Sequence, residues 1–206
     1  MKKIICTLLA LAMMVCGFAM AEAIAPQFTE LNTTDATYSV AFNRDDIKDG
    51  VINNVRIYTE DIYDIVDVSK MAVGDTFEAE GKTVTIESME TDEFGHININ
   101  GGYDAENGYT LTTEDDSNGW TTLLDDDFCT YTERGAANLE LAENVTFTDS
   151  SDIEAFNNGS DPLAVTGIEA VTKAIMESAN DSFYEHNTTI VIEGGKVTEI
   201  NRVFVP

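Results

Sequence analysis

The sequence predicts a mainly β fold, an antiparallel sandwich or barrel of meanders and hairpins with one α-helix from the C-terminal half packed on it, α+β overall. Three observations carry that expectation. Between residues 37 and 148, short segments of alternating or β-branched residues are separated by Gly, Asn and Asp, the punctuation of strands joined by tight turns. One stretch, beginning at Thr166, joins a helix-start pattern to an apolar stripe of helical period. The chain then closes on two strand-like runs about Gly194-Gly195.

Taken in order, Tyr38-Ser39-Val40-Ala41-Phe42 alternates as a strand, Asp49-Gly50 is a turn, and residues 51–58 form the next strand. Residues 61–71 are ambiguous: Ile62, Ile65, Val66 and Ser69 share a helix face, whereas Ile65, Val66 and Val68 are strand formers, and the segment is assigned to strand. Residues 76–79 and 82–89 flank Glu80-Gly81 as a hairpin. Asn107-Gly108-Tyr109-Thr110 returns as Asn118-Gly119-Trp120-Thr121, and Glu114-Asp115-Asp116 as Asp125-Asp126-Asp127. This short repeat predicts two successive meander strands, each entered through an Asn-Gly turn. The polar stretch 149–161 marks a loop or subdomain boundary. In the helix that follows, Thr166 and Glu169 form a capping box, and Ile168, Val171 and Ile175 line one face to an end near Ala179. Residues 188–193 and 196–205 form the closing hairpin.

Residues 1–23 have the character of a secretory signal peptide: Lys2 and Lys3 precede an apolar run to Met20, followed by small residues at Ala21 and Ala23. The expected plan is therefore a signal peptide over 1–23, a β-rich domain over 24–149, and a helix with closing hairpin over 150–206 in the same globular unit. Val15 beside Cys16 disfavours a lipoprotein signal, and no later apolar run reaches the length of a membrane span. The expected location is extracellular, at or beyond the cell surface, with no membrane insertion after cleavage. Cleavage would remove Cys6 and Cys16, leaving Cys129 and no intramolecular disulfide.

The formal net charge is −27. A field of that sign repels phosphate backbones, so nucleic acid is not an expected partner; an extracellular protein, peptide or glycan is. Calcium is the sharpest cofactor hypothesis, because hard cations take several oxygen ligands from a tight turn: Glu114, Asp116, Asn118 and Asp125 fall at EF-hand spacing, though Glu114 and Thr121 depart from that motif. Residues 45–53 mimic a second calcium loop but place Ile47 and Arg56 at ligand positions, so a β-turn is expected there. No nucleotide loop or zinc spacing occurs, and Cys129 with His96 or His186 offers only a bare Cys-His pair. For ligand binding, the expected residues are Tyr109 and Trp120 beside the acidic loops, with Tyr103 and Tyr131 as further stacking aromatics. The sequence thus suggests a non-enzymatic binding or structural module. The alternatives are a small carboxylate-dependent hydrolase of glycosidase type or a calcium-stabilised adhesive or inhibitory protein.

Overall fold

A computed structural model describes residues 35–112, 120–125, 128–178 and 182–205. Chain order begins with β1 (Ala36–Asn43), β2 (Ile47–Lys48), β3 (Val51–Glu60), β4 (Ile62–Asp64), the helical turn α1 (Ile65–Val68), β5 (Thr76–Ala79), β6 (Lys82–Thr85), β7 (Met89–Thr91) and β8 (Ile97–Ile99). It continues with β9 (Tyr109–Thr112), β10 (Trp120–Asp125), β11 (Phe128–Cys129), β12 (Tyr131–Ser150), α2 (Ile153–Asn157), β13 (Leu163–Thr166), α3 (Ile168–Glu177), β14 (Ser182–Phe183), β15 (Thr188–Glu193) and β16 (Lys196–Val203). The mainly β architecture with one longer C-terminal-half helix is the fold class the sequence predicts.

Pairing closes the largest sheet on itself. β1 pairs antiparallel with β3, β3 with β12, β12 runs parallel to β16, β16 pairs with β15, and β15 returns to β1. The result is a five-stranded Greek-key barrel of OB-fold connectivity, with α3 between its third and fourth strands. β12 makes closure possible: residues 131–140 follow β3 with two register shifts, and from Leu141 onward the strand pairs with β16, with a third shift before Thr146. Gly135, at φ 138°, occupies one of these shifts, a backbone setting that L side chains rarely adopt.

The core follows from strand period. In β15, Thr188, Ile190 and Ile192 point inward while Thr189, Val191 and Glu193 point out. The barrel interior is filled by Val40, Ile52, Ile57, Phe147, Ile190 and Ile200, among others, and α3 plugs it with Val171 and Ile175, both fully buried. Truncating Ile175 to Ala removes about 2–4 kcal/mol, the lost burial plus the cavity left behind.

Residues 61–130 leave the barrel between β3 and β12 and build a second unit. β4, β7, β8, β9, β10 and β11 form one sheet, the β5–β6 hairpin lies beside it, and Val68, Phe77, Ile86, Ile99, Tyr109, Leu111 and Leu123 make a separate core. Asp61 joins the two. Its amide donates to the Thr130 carbonyl at 2.9 Å, and its buried carboxylate accepts from the Glu80 amide and Thr130 Oγ1, each at 2.9 Å, and from Thr132 Oγ1 at 2.5 Å.

Local expectations fare unevenly. Asp49-Gly50, Glu80-Gly81 and Gly194-Gly195 all have positive φ at both residues, as primed hairpin turns require. β9 and β10 are antiparallel neighbours, as the repeat implies; Asn118-Gly119 lies outside the described residues. Residues 61–71 are strand only to Asp64, whose Oδ1 then accepts from the Val66 amide and starts a helical turn. Residues 82–89 do not form one strand: β6 stops at Thr85, and β7 begins at Met89 in a different sheet. Of residues 149–161, Asp149 and Ser150 end β12 and the rest form a connection that carries α2, after which β13 pairs back onto β12. The capping box is absent. Thr166 is held in β13 opposite Thr146, the N-cap is Gly167 at φ 93°, and no side chain caps the helix.

Candidate functional site

The tripeptide Tyr-Thr-Glu occurs at 58–60 in β3 and again at 131–133 in β12. Antiparallel pairing sets Tyr131 opposite Glu60 and Glu133 opposite Tyr58, so two phenols and two carboxylates share one face, the outside of the barrel. The intervening threonines point the other way: Thr132 donates to Asp61, and Thr59 accepts from Arg134 Nε at 2.7 Å. Tyr58 reaches Glu133 Oε2 at 3.5 Å.

A third segment completes the face. The turn before β15 is pinned by buried Asn187, whose Oδ1 accepts from the Tyr184 amide at 3.0 Å and whose amide donates to the Tyr184 carbonyl at 3.0 Å. This fold-back sets His186 against Tyr131, ring centroids 4.9 Å apart and nearly perpendicular, with Phe128 at 5.7 Å and Tyr184 at 5.9 Å. Phe128 belongs to the inserted unit, so the cluster straddles its join with the barrel. Glu185 Oε1 lies 3.9 Å from His186 Nε2. On the far side of Tyr58, the Arg56 guanidinium stands 5.9 Å from the ring centroid.

The electrostatics suit binding. Burial pushes the Tyr58 phenol above its ordinary range, with the Glu185 charge adding to it; Tyr131 is raised by burial and then by Glu60. Both therefore remain neutral hydroxyls near neutral pH, beside carboxylates that can accept hydrogen bonds or take a cation. Among the described residues, the carboxyls clearly displaced from their ordinary range, Asp92 and Asp149, are displaced downward. For Asp149, burial alone would raise the value, but hydrogen bonds from Arg202 and Ser151 outweigh it.

A separate cleft of about 950 Å³ lies between α3, β13 and the end of β12, with Asp149, Leu163, Ala174 and Arg202 among its lining residues. Its charged pair is mutually satisfied, Arg202 binding Asp149 through Nε and Nη2.

The residues singled out by sequence are differently placed. Tyr109 is 6% exposed, its ring is edge-on to Phe77 in the second core, and its hydroxyl donates to Glu80 Oε2 at 2.7 Å; it forms no exposed aromatic patch. The side chain of Trp120 and the whole of Glu114, Asp116 and Asn118 lie outside the described residues. Asp125 is exposed at the end of β10. Among the described residues no group of three or more His, Cys, Asp or Glu side chains is placed to hold a metal ion. Cys129 is half-buried, in sequence between Phe128 and Tyr131, whose rings both touch His186. Among the expected aromatics whose side chains are described, Tyr131 reaches the face. The repeated Tyr-Thr-Glu could have revealed its partners, because period-two spacing puts Tyr and Glu on one side of each strand.

No family model, no curated protein and no solved structure matches this chain.

Proposed function

We propose that this chain is an exported binding module that presents the outer face of β1, β3 and β12 to an extracellular peptide or glycan partner. One observation carries the reading: the paired Tyr-Thr-Glu segments and the Asn187-pinned turn bring Tyr58, Tyr131, Tyr184, His186 and Phe128 together with Glu60, Glu133 and Glu185. Tyr131, Tyr184 and His186 are half-buried and Phe128 is exposed, while Tyr58 is buried and supports the face through its bond to Glu133; partly exposed rings with polar tips are the usual material of recognition surfaces. By fold analogy alone, barrels of this connectivity carry oligonucleotides or oligosaccharides on their second and third strands. The charge of −27 argues against the first of these.

Peptide and glycan arrays probed with the wild type and with Tyr131→Ala test the reading. Ligands retained by the wild type and lost by a variant with unchanged circular dichroism support it. Ligands held equally by both proteins place binding elsewhere and overturn it.

A further inference from the structure

We infer that the partner of this face is a basic peptide segment that lays an arginine side chain against the exposed rings around His186. The inference rests on the binding role proposed for the face and specifies its ligand. Three features point to a guanidinium.

The rings are arranged edge to face about His186 instead of as one flat platform: Tyr131 and Phe128 are inclined at 85° and 66° to the imidazole. A pyranose ring prefers a broad flat aromatic surface, whereas a guanidinium needs only one exposed ring face within about 6 Å of its centroid. Carboxylates stand beside the same rings. Glu185 lies beside His186, and Glu60 and Glu133 flank Tyr131 and Tyr58 through the strand register. Guanidinium pairs with carboxylate in a fork and stacks on aromatic rings at the same time, which ammonium does less well. The chain also supplies its own example, because Arg56 already lies over Tyr58 on this face. The overall charge of −27 adds long-range attraction for a basic partner.

The test is fluorescence anisotropy with a labelled peptide of alternating Arg and Gly, its Lys-Gly counterpart and a neutral oligosaccharide, each followed also by amide NMR shifts. The Arg peptide is expected to shift amides at 58–60, 131–133 and 184–187. Its affinity should fall roughly tenfold in Glu185→Gln and in Tyr131→Leu, the loss expected for one desolvated cation–π or ion-pair contact. Glu154→Gln and Glu169→Gln, on α2 and α3, should leave binding unchanged. Equal losses in all four variants would reduce the effect to diffuse acidity and overturn the inference, as would a Lys peptide that binds as tightly. Oligosaccharide shifting these amides while the Arg peptide does not would overturn the inference but leave the face as a binding site. Shifts from neither ligand would overturn both.

Discussion

Replacing Asp149 with alanine strips the counter-charge from a guanidinium buried in the barrel wall. Arg202 is 1% exposed; its Nε donates to Asp149 Oδ1 at 3.1 Å, Nη2 serves both Asp149 Oδ2 and Ser178 Oγ, and its Cζ lies 4.4 Å from the Phe183 ring centroid. Removing one partner of a buried pair costs about 3–5 kcal/mol, and because Ser178 and Phe183 remain, about 3–4 kcal/mol is expected. At roughly 2–4 °C per kcal/mol for a chain of this size, the unfolding midpoint falls by about 6–16 °C. Arg202→Met should cost less, about 1–2 kcal/mol, since the Asp149 side chain keeps 13% exposure and two hydrogen bonds from Ser151. The double variant should recover most of the loss, as an apolar replacement of a buried pair often does. Urea unfolding followed by circular dichroism measures all three. Arg202→Met costing more than Asp149→Ala, or a double variant no better than Asp149→Ala alone, would refute the reasoning. Acid provides a second check. The folded pKa of Asp149 lies below its unfolded value, so its contribution is complete above about pH 4 and fades as pH falls through the folded value. Asp149→Ala should therefore show a flatter stability profile in acid than the wild type.

Asp61→Ala should loosen the inserted unit from the barrel, because it leaves the Thr130 and Thr132 hydroxyls and the Glu80 amide without their acceptor; a loss of about 2–4 kcal/mol is expected. Hydrogen exchange at Glu80 should accelerate well before that in the barrel core; uniform acceleration across both cores would instead mean that one cooperative unit spans them. In alkali, Tyr58, Tyr63, Tyr109 and Tyr131 all hold their protons above the ordinary phenol value of 10.0, chiefly through burial. Their contribution is complete below that unfolded value and is lost as pH rises toward the folded ones, so stability should decline above about pH 10. Phenolate absorbance in the native protein should lag behind that in denaturant; coincident curves would show these phenols to be freely solvated.

Much of the fold was legible locally. Asp49-Gly50, Glu80-Gly81 and Gly194-Gly195 demand positive φ and receive it, and the helical stripe of Val171 and Ile175 buries as its period implies. Where local signals misled, a tertiary contact outbid them. Thr166 could cap a helix, but a ladder place opposite Thr146 holds it extended, so Gly167 begins the helix instead. Tyr109 and Tyr131 look equivalent as loop-flanking tyrosines. One is consumed by the second core and the other lies on the barrel's outer face, because burial depends on which sheet each strand joins.

The sequence by itself determined the alternation of strands, the primed turns and the acidic charge, all properties carried by composition or by neighbouring residues. Only the tertiary structure decided that β12 would turn from β3 to β16 and close a barrel, and that residues 61–130 would fold apart from it. It also decided the candidate site. The two Tyr-Thr-Glu segments are separated by the whole inserted unit, and His186 comes from a third part of the chain. Each segment carries only its own period of two; their meeting on one face depends on strand register, which is fixed by packing on both sides of the sheet.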